Sequence, residues 1–317
     1  MRILLIGKNG QIGWELLRSL STLSEIIAVD RTDLDMTTEA SIVRVVREVR
    51  PQLIVNAAAY TAVDQAEDEV DLAFSVNATA PAVLAKEAQQ LGAGLIHYST
   101  DYVFDGADGV PYQENASCSP LGVYGRSKLK GDQAILNSGA AYFIFRTSWV
   151  YCLRGKNFYL TVLRLAARDG RLRIVQDQIG APTWSRIIAQ ATAQIIAQCF
   201  SPLAGGSDEN KRRMWDRRGV YNMSAAGNTS WFGFARSICA RRFPQAEVVP
   251  ITSKEYKTAA QRPAYSVLCG DKLKTVFGIA LPAWDESLEQ IMEEGSSLKL
   301  DASAYTASGL APVGNKT

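Results

Sequence analysis

The sequence predicts an α/β fold, with a doubly wound parallel sheet in the first half of the chain and a smaller α/β domain after it. Five short apolar runs in the first half are continuous rather than alternating, which is typical of strands buried on both faces. Helix-like segments separate these runs, as expected for a parallel sheet. Each run ends in polar residues, and in such sheets the carboxyl ends of the strands form the edge where ligands bind.

Predicted strands and helices alternate along the first half. The predicted strands are the apolar runs at 3–6, 26–29, 53–55, 95–98 and 142–145, and the predicted helices are near 11–22, 38–49, 67–91 and 120–137. The second half is less regular, with a predicted strand at 172–176 and predicted helices near 184–200, 230–242 and 284–294. Ser, Ala, Thr and Gly dominate from position 296, which predicts a flexible tail over 296–317.

Composition excludes several classes of function. The 317 residues include 34 Lys+Arg and 32 Asp+Glu, and this near balance argues against a nucleic-acid binder. His97 is the single histidine, which argues against most zinc sites and Ser-His-Asp triads. The five cysteines form no C-x-x-C pair, which fits a reducing cytoplasm. No stretch approaches the roughly 20 apolar residues of a membrane span, so we expect no membrane partner.

Three glycines after the first predicted strand indicate a dinucleotide. Gly7, Gly10 and Gly13 read G-x-x-G-x-x-G before a predicted helix, a spacing that allows a tight turn and close approach of a pyrophosphate. The N–H groups of residues 9–12 would face that phosphate at the positive end of the helix. The alternative is a strand-to-helix turn without a ligand. The motif refines the prediction to a Rossmann-like sheet followed by a C-terminal substrate-binding domain.

Asp30 ends the second predicted strand, where a carboxylate would accept hydrogen bonds from ribose hydroxyls and repel a 2′-phosphate. This favours NADH. The neighbouring Arg31 could pair with a 2′-phosphate, so NADPH stays open, and Asp30 could also simply cap a turn.

Tyr124 and Lys128 form a Y-x-x-x-K pair on one predicted helix face. The lysine ammonium would stabilise a tyrosinate and lower the pKa of the phenol, which could then protonate a carbonyl oxygen. Lys128 could also bind a nicotinamide ribose. Thr100, in the run Ser99-Thr100-Asp101, places a hydroxyl at the ligand edge beside the phenol. A helix-surface pair and a capped strand end are the alternatives.

Together these motifs resemble an extended short-chain dehydrogenase/reductase, and more closely the dTDP-4-dehydrorhamnose reductase family. The segments that carry the resemblance include GKNGQIGWEL (7–16), VNAAAYTAVDQAE (55–67), HYSTDYVFDG (97–106), VYGRSKLKGD (123–132), DQIGAPT (177–183) and RPAYSVL (262–268). The resemblance implies NADPH- or NADH-dependent reduction of the C4 ketone of dTDP-4-dehydro-L-rhamnose to dTDP-L-rhamnose, for a surface polysaccharide such as lipopolysaccharide. It also implies a dTDP-linked 4-keto-6-deoxyhexose as partner and a homodimer.

The resemblance also implies site residues. Tyr124 corresponds to the proton donor, Lys128 to its partner and Thr100 to the hydroxyl of the triad. The cofactor set comprises Gly7, Gly10, Gln11, Ile12, Gly13, Asp30, Asp35, Met36, Ala59, Tyr60, Thr61, Tyr98, Tyr124 and Lys128. The substrate set comprises Val63, Thr100, Asp101, Tyr124, Trp149 and Arg262, with Arg262 at the diphosphate or in a surface ion pair.

Some members of that family bind magnesium through glutamates at a dimer interface. Glu15 matches one such position, but Arg186 stands where a second glutamate is expected. A cation cannot replace an acidic magnesium ligand, so we expect no bridging metal.

The expected organisation is a dinucleotide-binding domain over 1–148, with segments near 172–200 and 225–245 packing back on it, and a mainly substrate-binding domain over 149–295. Two other functions stay open. One is a non-catalytic, nucleotide-binding regulatory subunit of a methionine adenosyltransferase, a role that related folds serve. The other is a reductase or epimerase of a different nucleotide-linked 6-deoxyhexose.

Overall fold

The computed structural model describes residues 1–200 and 207–297, and side chains within 1–200 and 212–295. Positions 298–317, most of the predicted tail, lie outside the described residues. Within the described ranges, no helix combines the length and apolar character that crossing a bilayer requires.

A parallel sheet of six strands combines five strands of the first half with one of the second, in the order β2-β1-β3-β4-β5-β10. The strands are β1 (Arg2–Ile6), β2 (Glu25–Val29), β3 (Leu53–Asn56), β4 (Gly94–Thr100), β5 (Ala141–Thr147) and β10 (Gly219–Asn222). The intervening helices are α1 (Gln11–Leu20), α2 (Glu39–Val49), α3 (Val70–Phe74), α4 (Ala80–Leu91) and α5 (Val123–Leu136). A π-helical segment, Ser75–Thr79, joins α3 to α4. The prediction of a doubly wound parallel α/β fold is confirmed.

Continuous burial explains the apolar strands. β3 and β4 are buried at every residue, because helices cover both faces of the sheet. One face packs against α1, α7 (Ser185–Cys199) and α10 (Asp271–Phe277), and the other packs against α2, α4 and α5. The strand order leaves the carboxyl ends of β1, β3, β4 and β5 side by side at one edge.

The second half builds a separate apolar cluster from α6 (Phe158–Asp169), α9 (Trp231–Arg242) and α11 (Trp284–Ser297). Beside it β7 (Arg171–Val175) pairs in parallel with β12 (Glu247–Ile251). Two further two-stranded sheets join β6 (Val150–Tyr151) to β9 (Thr183–Trp184) and β8 (Ile179–Gly180) to β11 (Thr229–Ser230). Along the chain, α8 (Ser207–Asp216) precedes β10.

The segments expected to return to the first domain divide between the two clusters. From 172–200, α7 packs on the central sheet beside α1, whereas β7 pairs with β12. From 225–245, α9 packs with α6 and α11 in the second cluster, because Phe234 and Ile238 face that core. The proposed domain boundary at 148 stays a prediction.

Candidate active site

The glycine turn leaves a bare backbone cradle at the ligand edge of the sheet. Gly7 has a φ of +89°, and a Cβ there would lie 2.9 Å from the Ala58 nitrogen. A Cβ on Gly13 would lie 2.0 Å from the Gly7 oxygen. Side chains are therefore excluded at both positions, and α1 begins at Gln11 directly behind the turn. This cradle fits a dinucleotide pyrophosphate, since it offers free N–H groups at a helix start.

The second half of the chain reaches this turn through Gln11. The Oε1 atom of Gln11 accepts a hydrogen bond from Asn157 Nδ2 at 3.1 Å and one from Cys152 Sγ at 3.3 Å. Arg154, in the same loop, stacks its guanidinium 3.0 Å from the ring centroid of Trp14 on α1. The loop after β6 therefore holds the side chain of one predicted cofactor residue.

Asp30 lies at the rim of the turn, just past β2. Its carboxylate accepts hydrogen bonds from Asn9 Nδ2 at 2.7 Å and from the Thr32 hydroxyl at 2.6 Å, and Lys8 Nζ lies 3.5 Å away. The hydrogen bonds from Thr32, helped by Lys8, lower the pKa of Asp30 to about 2. The group is therefore a fixed anion beside the turn, and the neighbouring Arg31 is exposed.

The remaining predicted cofactor residues lie in two groups. Asp35 accepts hydrogen bonds from Thr37 at 2.7 and 2.8 Å and so caps the start of the loop before α2, while Met36 packs against the core on that side. Ala59, Tyr60 and Thr61 follow β3, and the Tyr60 backbone N–H is fixed by Asn77 Oδ1 at 2.9 Å.

Tyr98 differs from the other predicted contacts. Its phenol hydrogen bonds to Thr192 at 2.7 Å inside the core, and its ring belongs to the cluster beneath the sheet. Only its backbone carbonyl is directed to the site, where it accepts from Lys128 Nζ at 2.6 Å.

Tyr124 and Thr100 meet at the carboxyl end of β4. Thr100 hydrogen bonds to the phenol and acts to lower its pKa, but burial dominates and raises the pKa of Tyr124 to about 12. The expectation that the phenol pKa is lowered is therefore wrong for this arrangement, because Lys128 directs its Nζ to Tyr98 and His97. A phenol with a raised pKa stays protonated at neutral pH, as a proton donor must.

Asp101 lies behind this pair. Its carboxylate accepts hydrogen bonds from the hydroxyls of Thr100 and Ser148, each at 3.1 Å, and from Ser266. Burial outweighs these bonds and raises the pKa of Asp101 to about 6.

A buried polar cluster lies under Lys128, on strands β3, β4 and β5 and on α5. Lys128 Nζ is 3.0 Å from His97 Nε2, and Asn56 Nδ2 is 3.1 Å from His97 Nδ1. Asp132 accepts from Ser99 at 2.7 Å, and Arg146 Nε lies 3.8 Å from it. Burial lowers the pKa of Lys128 to about 8, although Asp132 acts to raise it.

Trp149 holds a backbone conformation that large residues rarely adopt, with a φ of +48°. Its ring stacks on Trp231, with centroids 3.4 Å apart and an interplanar angle of 5°. Gly180 makes room for the stack, since a Cβ there would lie 2.4 Å from the indole. The strained turn and its partners fix this predicted substrate contact beside Ser148 and Asp101.

Arg262 forms an ion pair rather than pointing freely into the site. Its guanidinium contacts Asp64 at 2.8 and 3.2 Å, and the Ala260 N–H also donates to Asp64. Arg262 also hydrogen bonds to Tyr102, whose ring packs edge-on against Tyr124 with centroids 5.7 Å apart. The guanidinium is therefore one residue removed from the predicted proton donor. Val63, half-buried, immediately precedes Asp64.

The magnesium position of the family does not fit this chain. The guanidinium of Arg186 lies between two carboxylates, 3.1 Å from Glu15 Oε2 and 2.8 Å from Glu294 Oε1. A cation already occupies the place where the carboxylates converge, so a divalent metal would meet a like charge. Among the described residues, no group of three or more potential ligands could hold a metal ion.

Comparison with known proteins identifies the family. The family model described as "RmlD substrate binding domain" matches residues 1–297. The chain belongs to this family. A dTDP-4-dehydrorhamnose reductase of Burkholderia thailandensis is 44% identical over 90% of this chain and 95% of its own length. The enzyme of that name from Escherichia coli is 41% identical over 93% and 98%.

A solved structure agrees with these relatives. The dTDP-4-dehydrorhamnose reductase of Bacillus anthracis, in complex with NADP, superposes with a TM-score of 0.82 at 35% identity, covering 92% of this chain and 99% of that one. The resemblance predicted from the motifs is confirmed.

Sequence reasoning missed the residues that support the predicted ones. The sequence indicates for His97 only the sites that a single histidine excludes, and it assigns no role to Asp132 or Trp231. The i,i+4 spacing of Lys128 and Asp132 in VYGRSKLKGD could have indicated that Asp132 shares a helix face with Lys128, but no linear spacing reveals that His97, in HYSTDYVFDG, also faces Lys128.

Proposed function

We propose that this chain is an NAD(P)H-dependent reductase of the C4 ketone of dTDP-4-dehydro-L-rhamnose, giving dTDP-L-rhamnose. The placement of Thr100 beside the Tyr124 phenol, with Lys128 one turn further along α5, at the edge of the sheet that carries the glycine turn is the observation that supports it. The names of the relatives agree with this reaction.

The glycine turn and the Asp30 rim would hold the dinucleotide, and Lys128 would contact its nicotinamide ribose. When bound, the nicotinamide supplies the hydride that reduces C4. Tyr124 supplies the proton: its O–H bond breaks as a new O–H bond forms on the ketone oxygen, and a phenolate is left. Thr100 lies beside the phenol, where it acts to lower the phenol pKa and would help to orient the group.

The substrate would lie between Asp101, Val63 and Trp149, with its diphosphate towards Arg262. Binding energy from the nucleotide would orient the reacting carbon. To contact that diphosphate, the guanidinium of Arg262 must either leave Asp64 or bind both groups at once. We further propose a cytoplasmic homodimer whose product serves a surface polysaccharide.

The decisive experiment supplies dTDP-4-dehydro-L-rhamnose with NADPH or NADH and identifies the product sugar by NMR. We expect oxidation of the nicotinamide only with the keto-sugar present. Tyr124→Phe should lower kcat by about 10²–10⁴ with unchanged cofactor binding, because only the transferable proton is removed. Retained turnover would remove Tyr124 from the mechanism, and a product of another configuration would favour a different 6-deoxyhexose reductase.

A further inference from the structure

The polarity of the hydrogen bonds beneath Lys128 follows from one backbone contact. The side-chain oxygen of Asn56, Oδ1, lies 3.1 Å from the backbone nitrogen of Ala58. A backbone N–H can only donate, so the atom facing it must be the amide oxygen. The NH₂ group of Asn56 therefore faces His97 Nδ1 at 3.1 Å. Because NH₂ can only donate, Nδ1 must be an acceptor without a proton.

The tautomer of His97 is then fixed. A neutral imidazole carries one proton, which must be on Nε2 when Nδ1 accepts. The ring is 1% exposed, and burial together with Lys128 lowers its pKa well below the ordinary value, so a second proton is disfavoured. Nε2–H points to Lys128 Nζ at 3.0 Å.

An ammonium group does not satisfy this contact. It has three donors and no lone pair, so it would set an N–H against the N–H of His97. A neutral amine satisfies both neighbours: one N–H donates to the Tyr98 carbonyl at 2.6 Å, and the lone pair accepts from Nε2–H. Turning the Asn56 amide would not help, since its NH₂ would then face the Ala58 N–H.

We propose that His97 is a positioning residue that donates its Nε2–H to Lys128 and thereby stabilises the neutral amine form of that lysine. The catalytic consequence rests on the proposed function. After Tyr124 gives its proton to the substrate, a proton from the Lys128 ammonium can restore the phenol, as one N–H bond breaks and one O–H bond forms. His97 stabilises the amine that results.

Charged neighbours act in the opposite direction. Asp132 is on α5, and its Oδ1 atom lies 3.9 Å from His97 Nε2. This oxygen has no hydrogen-bond partner among the described residues. The negative charge of Asp132 favours the ammonium form of Lys128. Arg146, on β5, lies 3.8 Å from the same carboxylate and partly neutralises it. Among the other titratable groups, Tyr124 interacts with Asp101 and Asp132, and the Cys118 thiol contacts Arg146 at 3.4 Å. The N–H donor of His97 thus favours the neutral amine of Lys128, whereas the carboxylate of Asp132 favours its ammonium form.

Because His97 is the only histidine, ¹⁵N-histidine labelling of tag-free protein gives one imidazole signal set. We expect the Nε2–H tautomer above pH 8, where Lys128 is the neutral amine, with shifts that follow the titration of Lys128 and lose that titration in Lys128→Met. An Nδ1–H tautomer or an imidazolium would overturn the proposal. Asn56→Asp should reverse the tautomer, since a carboxylate can only accept. These measurements need no substrate, so they fail or succeed independently of the proposed function.

Kinetics test the consequence. Reduction should decline as pH rises through the pKa of Lys128, and His97→Leu should move this decline up by about one pH unit, because the amine loses one hydrogen bond. His97→Gln, which retains an N–H donor, should restore the parent profile, and Asp132→Asn should move the decline downward. Lower kcat with an unmoved profile in His97→Leu would reduce His97 to a structural role and overturn the proposal.

Discussion

Two lysine–aspartate groups flank the site, and they respond to their surroundings in opposite ways. Beneath the tyrosine, Lys128 and Asp132 are buried, so desolvation lowers the pKa of the lysine and raises that of the aspartate. At the rim of the glycine turn, Lys8 and Asp30 are partly exposed, and hydrogen bonds raise the pKa of the lysine and lower that of the aspartate. The rim holds permanent charges suited to binding, whereas the buried group holds a lysine near its titration point, suited to moving a proton.

Replacing each lysine by methionine gives the largest expected contrast. Lys128→Met should lower kcat by about 10²–10⁴, because the site loses its buried proton source. Lys8→Met should change kcat by no more than about threefold, since an exposed ion pair contributes little. Steady-state kinetics with the keto-sugar check both variants, and equal losses would show that burial does not separate their roles.

Removing the rim carboxylate should affect cofactor binding alone. Asp30→Ala should raise KM for NADH by about tenfold or more, because hydrogen bonds to a charged acceptor are lost. KM for NADPH should change less or fall, because the Asp30 carboxylate repels the 2′-phosphate of NADPH and its removal ends that repulsion. Asp33→Ala is the matched control, as its carboxylate is bound to Lys8 at 2.8 Å. A drop in kcat at saturating cofactor would contradict the division between rim and centre.

Asp101 is a second buried group with a shifted pKa, and it should make the stability of the protein depend on pH. Its pKa is about 6 in the folded chain against an ordinary 3.8, so the folded state binds more protons between these values. The free energy of unfolding therefore falls as pH rises through this window, by about 3 kcal/mol when complete. Asp101→Asn should raise stability by about 2 kcal/mol near pH 8 and by much less near pH 4. Urea denaturation at both pH values measures this, and a pH-independent difference would count against it.

The smallest expected effect is at Arg186. Arg186→Gln should cost about 1 kcal/mol, because the guanidinium is 32% exposed and its ion pairs are partly screened. Magnesium or EDTA should leave the parent Tm unchanged. Arg186→Glu would create three converging carboxylates with Glu15 and Glu294, and magnesium should raise its Tm. A parent Tm that responds to EDTA would show that a metal binds despite the arginine.

Much of this molecule follows from local pattern. Strands β1 to β5 are predicted because buried parallel strands need continuous apolar runs, and the glycine turn because only glycine tolerates such close backbone approach. The sixth strand, β10, has only four residues after a charged segment, so no pattern marks it, and it is defined by pairing with β5. The placement of α9 against α6 is likewise decided by packing between distant segments.

For the site, the sequence alone predicted the candidate residues, since Tyr124, Lys128, Thr100 and the glycines occur at spacings that the proposed chemistry requires. Tertiary structure alone decided their protonation. Desolvation and hydrogen-bond polarity depend on what surrounds a group: Lys128 is surrounded by residues 97, 98 and 132, and position 56 fixes the orientation of His97. The spacing of Lys128 and Asp132 on α5 encodes one of these contacts, but none encodes the contacts with positions 97 and 98, because the sheet brings β4 beside α5 only after it has formed.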